Sequence, residues 1–316
     1  MFERHRFPAA LLAGAFALAP AVARAQESAV TPVAERRPKA EAESAARPGT
    51  RWTDPDGKPL PFASDEELIA FLATAEVKSE QALSGGVTFP TKILLEKDGV
   101  RANAVFRDVN EDSTNNPSFG GGRDAIFFRD SYIYEPAAYK LSRMLGLDNV
   151  PPATLRKLRN KNGSVQIWVE NSMTQKSMNK QGIKPPDATR WNKQLQIINT
   201  FDALIYNTDR NTGNLLITPD WKLWMIDHTR AFRRNPNLQR PDAIKQCERG
   251  VYQKLKGLDT TAAAAALKDD LSPYELDALF KRRALLVEHI DKLIAEHGEG
   301  EVLYVDAEDT AAGSAP

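Results

Sequence analysis

Apolar residues recur at helical spacing in some stretches of this chain and alternate with polar residues in others. Residues 65–76 put Leu68, Phe71 and Leu72 on one face, which predicts a short helix. In 91–109, Ile93-Leu94-Leu95 leads into Lys97-Asp98-Gly99, and Ala102, Ala104 and Phe106 then alternate with polar neighbours. Asp-Gly is a hairpin signal because Gly supplies positive φ, so two paired strands are predicted there. Residues 131–147 carry Ala138, Leu141, Met144 and Leu145 at helical spacing. A second hairpin is predicted from Thr154–Leu158 and Val165–Val169, turning at Asn162-Gly163. Residues 171–190 are polar and irregular. Trp191, Leu195, Ile198, Leu204 and Ile205 then form the stripe of a helix over 191–206.

That helix runs into the polar loop 207–214, followed by a hairpin over 215–226 that ends in Asp227-His228. Near the C-terminus Ser272-Pro273-Tyr274-Glu275 is a capping box with Pro at the first helical position. It opens a helix with Leu276, Leu279, Leu286, Ile290 and Leu293 at core spacing. Strands therefore dominate the first half and helices the second, which predicts an α+β chain of two lobes with a cleft between them. The predicted divisions are 51–170 and 171–305.

The two ends carry a different composition. Arg4 and Arg6, the apolar run Ala9–Val22 and Ala23-Arg24-Ala25 have the order of a secretory signal peptide, cleaved after Ala25. The expectation is an exported protein, periplasmic or extracellular. The apolar run is too short to span a bilayer, so no stable membrane span is expected after cleavage. Residues 26–50 and 306–316 are rich in Ala, Glu, Pro and Ser and read as a linker and a tail.

The 316 residues hold 42 Lys and Arg against 42 Asp and Glu. Cleavage would leave 39 against 41. Neither balance suits a nucleic-acid binder, whose affinity comes from phosphate neutralisation. One Cys and four His exclude a disulfide framework and soft-ligand metal clusters. They leave open a site of hard oxygen ligands.

Asp209-Arg210-Asn211-Thr212-Gly213-Asn214 follows a long helix, and Asp227 ends the hairpin after it. A hairpin returns its second strand beside its first, so Asp227 is brought back near Asn214. Phosphoryl transfer requires one carboxylate to orient or deprotonate a hydroxyl, and further oxygens to hold Mg2+ or Mn2+ on nucleotide phosphates. The segment is also compatible with a plain turn. Asp209, Asn211 and Gly213 resemble the start of a calcium loop, but Asn214 and Asp220 stand where that loop needs Gly and Glu.

The string DRNTGNLLI…WMIDHTRAF resembles the catalytic and metal loops of atypical kinases: the phosphatidylinositol 3-/4-kinase-like group, HipA-type bacterial kinases and secretory-pathway casein-type kinases. The resemblance spans roughly 88–235 and implies the two-lobed protein-kinase-like fold. It implies Asp209 as catalytic Asp, with Asn214 and Asp227 as metal ligands. YEPAAYKLSRMLGLDNVPP is similar to the helix carrying the family's Glu, which implies Glu135. GSVQIWVEN is similar to the strand before the hinge, which implies adenine contacts at Trp168, Val169 and Glu170.

The family's nucleotide-binding Lys is replaced by Arg107 in Ala104-Val105-Phe106-Arg107, with Lys92 and Arg129 as weaker candidates. Gly85-Gly86 and Gly120-Gly121-Gly122 are candidate phosphate lids or plain loops. What the resemblance implies is an ATP- and Mg-dependent phosphotransferase acting on an unknown hydroxyl acceptor. The alternative is a pseudokinase that binds nucleotide or a partner without transfer. Arg230, Arg233 and Arg234 form a basic patch, either solvated or able to bind an acidic substrate. His228 is read as ordering the loop after Asp227 or as a partly buried polar residue, with a general base as the alternative. Trp221 and Trp224 are expected to pack the hairpin, and Cys247 to be inert.

Overall fold

A computed structural model describes residues 52–83, 90–112 and 128–305. The signal and linker segments, the tail from 306 and both Gly-rich candidates lie outside the described residues.

Helix α1 (Asp65–Thr74) is capped by Ser64, which accepts from the Glu67 N–H, and buries Leu68, Phe71 and Leu72. Strands β1 (Glu76–Ala82), β2 (Thr91–Lys97) and β3 (Val100–Arg107) form an antiparallel run. The β2–β3 turn has Asp98 and Gly99 at φ +52° and +77°, as the Asp-Gly signal predicts. After the short strands β4 (Asn110–Asp112) and β5 (Arg129–Ser131) comes helix α2 (Tyr134–Met144). Strands β6 (Ala153–Leu158) and β7 (Lys161–Ile167) complete a five-stranded sheet in the order β1-β2-β3-β7-β6.

The β6–β7 turn is not at Asn162-Gly163. Arg159 and Asn160 make it, at φ +46° and +65°, and Gly163 lies inside β7. Gly163 answers a different need, because a Cβ there would stand 2.3 Å from the Phe106 ring and 2.4 Å from the Arg107 carbonyl oxygen. Close backbone approach, and not a turn, requires the glycine.

The strand-rich lobe packs Leu68, Leu72, Ile93, Leu95, Ala102, Ala104, Val165 and Ile167 into one core. Helix α2 sits differently, for its Ala137, Ala138, Leu141 and Leu145 belong to the core of the helical lobe. Lys140 of α2 is paired with Asp270 of that lobe at 2.6 Å.

The helical lobe begins with β8 (Met173–Thr174) and the short helix α3 (Gln175–Lys180), capped by Thr174. Residues 171–190 are thus partly helical, because the Thr174 hydroxyl satisfies the Ser177 N–H. Helix α4 (Ala188–Ile205) ends at Tyr206, whose φ of +51° turns the chain out of the helix. Strands β9 (Leu215–Ile217) and β10 (Leu223–Met225) pair antiparallel, with β8 on the free edge of β9. Strand β11 (Cys247–Glu248), α5 (Arg249–Gly257), α6 (Thr260–Leu267), α7 (Pro273–His297), α8 (Glu299–Val302) and β12 (Leu303–Tyr304) follow.

The capping box at Ser272 and Glu275 is formed at the start of α7. Trp224 packs against Trp52 at 5.0 Å and Trp221 meets Trp191 edge-on at 6.3 Å. Cys247 is buried, and burial together with the Glu248 charge pushes its thiol up to about 12. Among the described residues no helix is long and apolar enough to cross a membrane.

Candidate active site

The site starts from the pleat of β3. Ala102, Ala104 and Phe106 point into the sheet's core, so Val105 and Arg107 point to the other face, towards α2. Strand register pairs Val105 with Gln166 and Arg107 with Ser164, which puts Gln166 on that same face. Glu135 lies in the first turn of α2, just before Pro136, a position where Pro costs no helical hydrogen bond. The helix therefore starts where the sequence allows it, and Glu135 faces β3 and β7.

Glu135 is fully buried. Its Oε1 accepts the His228 backbone N–H at 3.0 Å, and its Oε2 lies 3.2 Å from His228 Nδ1 and 3.3 Å from Gln166 Nε2. Arg107 Nε stands 3.7 Å from Glu135 Oε1 and 3.9 Å from Asp227 Oδ1. Burial pushes the Glu135 pKa up, but the Arg107 charge and the His228 hydrogen bonds outweigh it and hold the carboxyl at about 2. His228 is itself fully buried, with its ring edge against Phe201. It thus joins the Asp227 loop to α2, which fits the ordering role expected of it.

Arg107 is 5% exposed, and its Nε and Nη1 have no hydrogen-bond partner among the described residues. Buried polar groups are normally satisfied, so two idle donors on a fixed cation are informative. The fork suits a phosphate oxygen. Lys92 instead lies over the Trp168 ring at 4.4 Å, and Arg129 bonds Asn110 at 3.0 Å.

The loop after α4 is built around Arg210. Its Nε and Nη2 are held by Asp202 at 2.9 and 3.1 Å, and its Nη1 reaches the carbonyl oxygens of Asn214 and Ile226, both at 2.7 Å. The Ile226 N–H donates to the Asn214 carbonyl at 3.2 Å. One buried guanidinium thereby fastens the start of β9 to the residue before Asp227. Asn214 Nδ2 donates to the Asp209 carbonyl at 2.9 Å, so the amide nitrogen is engaged there and its Oδ1 is the acceptor.

Asp227 sits at φ +61°, a left-handed conformation that a non-glycine residue takes only where its surroundings fix it. Its Oδ1 accepts from Thr229 Oγ1 at 3.2 Å, and no donor among the described residues reaches Oδ2. Asn214 Oδ1 and the Asp227 carboxylate are hard oxygen donors of the kind that suit magnesium or manganese. Among the described residues no three His, Cys, Asp or Glu side chains form a cage, so a cation here would need phosphate or water oxygens as well.

After β7, the Trp168 N–H donates to the Asn103 carbonyl at 3.0 Å and Glu170 accepts from Asn103 Nδ2 at 2.7 Å. Val169 is buried, and its carbonyl takes Ser172 Oγ at 2.7 Å. The structure thus assembles Arg107, Glu135 and Asp227 in one group and Asp209 and Asn214 in another, joined through Arg210. Gln166, Asp202 and Asp130 were not picked out in the sequence, while Arg210 stood there only as part of the loop motif and Arg230 only as part of a basic patch. Asp202 carried a signal, being a carboxylate within an apolar helical stripe.

No protein-family model matches the chain. It is 30% identical over 173 residues to phosphatidylinositol 4-kinase gamma 4 of Oryza sativa subsp. japonica, a stretch covering 46% of the chain and 29% of that protein. The chain thus matches under a third of the length of that curated relative. Among solved structures it is similar to hydra Fam20 with sugar, at TM-score 0.57 and 16% identity, over 77% of the chain and 92% of that one. It is also similar to the Golgi casein kinase, at TM-score 0.53 and 19% identity, over 77% of the chain and 80% of that one, including a structure with Mn/ADP bound. At these identities the likeness establishes the fold and not the activity. The chain has the two-lobed protein-kinase-like fold of the atypical kinases.

Proposed function

We propose that this protein is an exported phosphotransferase that moves the γ-phosphoryl group of ATP to a hydroxyl acceptor with a divalent cation. The observation that carries the reading is Arg107: a buried cation braced between Glu135 and Asp227, with two donors unmatched. Arg210, by contrast, spends its Nε, Nη1 and Nη2 on Asp202 and on backbone carbonyls. In the proposed roles, Arg107 binds nucleotide phosphate and Glu135 holds its guanidinium in place.

Asn214 and Asp227 would hold magnesium or manganese, as the oxygen donors left open there allow. The cation, when bound, would neutralise charge on the phosphates. Asp209 would orient the acceptor hydroxyl, and the backbone from Trp168 to Glu170 would meet the adenine. The order of the first 25 residues supports export. The Mn/ADP bound by the Golgi casein kinase supports the choice of ligands.

Calorimetric titration of the purified chain with ADP tests this reading. Binding should require magnesium or manganese and should be lost in Asp227→Ala. Absence of nucleotide binding, or binding indifferent to both metal and Asp227, would refute it.

A further inference from the structure

Arg230 and Asp130 lie beside the proposed reaction centre but have no place among its phosphate, adenine or metal contacts. Asp130 in β5 is 1% exposed. Its Oδ2 is paired with Arg230 Nε at 2.7 Å, and its Oδ1 has no hydrogen-bond partner among the described residues. Arg230 Nη1 stands 3.3 Å from Asp209 Oδ2. The three residues therefore form a line, from a buried carboxylate through a guanidinium to the carboxylate proposed to receive the acceptor.

We infer that Arg230 is a positioning residue for Asp209, braced from behind by Asp130. The inference rests on the kinase reading of the same site. Removing Arg230 from Asp130 would leave a buried carboxylate unpaired, which is strongly unfavourable, so the guanidinium stays where Asp130 holds it. The guanidinium is planar and rigid, so fixing Nε also fixes the direction of Nη1.

Asp209, by contrast, is 36% exposed in its side chain. Among the described residues its carboxylate also accepts from Asn211 Nδ2, 3.3 Å from Oδ1. The ion pair with Arg230 holds Oδ2, as Asn211 holds Oδ1, and so restrains rotation of the carboxylate. The two ends of the brace are also tied together, since the Ser131 N–H donates to the Thr229 carbonyl at 2.8 Å. Burial of Arg230 opposes its charge, but the Asp130 hydrogen bond and the charges of Asp130, Asp209 and Asp227 raise its pKa. A lysine would supply the charge on a flexible stem and could not hold both carboxylates in this geometry.

The test uses the full purified chain with Mg-ATP. Arg230→Gln should lower kcat for ATP turnover by about 10²-fold, the scale of a small misplacement of a catalytic group. Its affinity for Mg-ADP should stay within about twofold of wild type, since no nucleotide contact is removed. Arg230→Lys, which keeps the charge, should remain within a few-fold of Arg230→Gln. The double variant with Asp130→Asn should be no slower than Arg230→Gln alone, because the two residues act as one unit. Full rescue by Lys, or a parallel loss of Mg-ADP affinity, would overturn the proposal.

Crystal structures of wild type and Arg230→Gln give a readout independent of turnover. A rotated or multiply placed Asp209 carboxylate in the variant supports the brace, and an unmoved one overturns it. Nucleotide binding without turnover in wild type would refute the kinase reading, and the crystallographic comparison would still decide the brace.

Discussion

Replacing Glu135 by Gln should destabilise the protein and remove a defined part of its pH dependence. The carboxylate is fully buried, with Arg107 Nε at 3.7 Å and the His228 N–H at 3.0 Å. Its folded pKa of about 2 lies below the ordinary value of 4.5. At about 1.4 kcal/mol per unit, that depression corresponds to about 3 kcal/mol of stability. Because the folded value is the lower one, this contribution is complete above the unfolded pKa and is lost as pH falls through the folded one. The window runs from about pH 5 to about pH 2, with about 2 kcal/mol gone by pH 3. Glu135→Gln also leaves Arg107 buried beside a neutral group, and breaking a buried pair costs about 3–5 kcal/mol.

The assay is urea unfolding of wild type and variant, followed by circular dichroism from pH 7 to pH 3. The difference between them should be about 3–5 kcal/mol at pH 7 and about 2 kcal/mol smaller at pH 3. A difference under about 1 kcal/mol at pH 7, or one constant across the range, would refute the assignment of Glu135 as the ionised partner of Arg107.

Gly163→Ala puts a methyl 2.3 Å from the Phe106 ring and should cost about 1–3 kcal/mol in chemical denaturation, with a matching fall in melting temperature. Ser272→Ala removes the capping box of α7 and should cost about 1 kcal/mol by the same measurement, with no change in nucleotide affinity. Cys247, buried with its thiol pushed up to about 12, should resist a thiol reagent at pH 8 in the native chain and react fully in urea. Rapid native labelling would contradict that burial.

Much of the fold was legible because its signals are local. The Asp98-Gly99 turn, the Ser272 capping box and the apolar stripe of α4 each depend on residues within a few positions of one another. The two misread places depend on distant contacts. Gly163 is set by Phe106 across the sheet and not by a turn of its own. The short α3 rests on one hydroxyl cap and one buried apolar residue, Met178, too little to register as periodicity.

The site divides in the same way. Asp209, Asn214 and Asp227 stand out by spacing and by resemblance. The residues that hold them do not, because Arg210 acts through Asp202 and backbone carbonyls, and Asp130 reaches Arg230 across 100 positions of chain. Arg230 belonged to a visible basic run, but its pairing with two carboxylates could be seen only once β5 was placed beside the Asp227 loop.

The central claim is tested most directly by ATP turnover. The purified chain, incubated with γ-labelled ATP and magnesium or manganese, should release or transfer label, and Asp227→Ala and Asp209→Ala should each abolish this while circular dichroism stays unchanged. Equal turnover by wild type and both variants, or none by a wild type that binds Mg-ADP, would contradict the account.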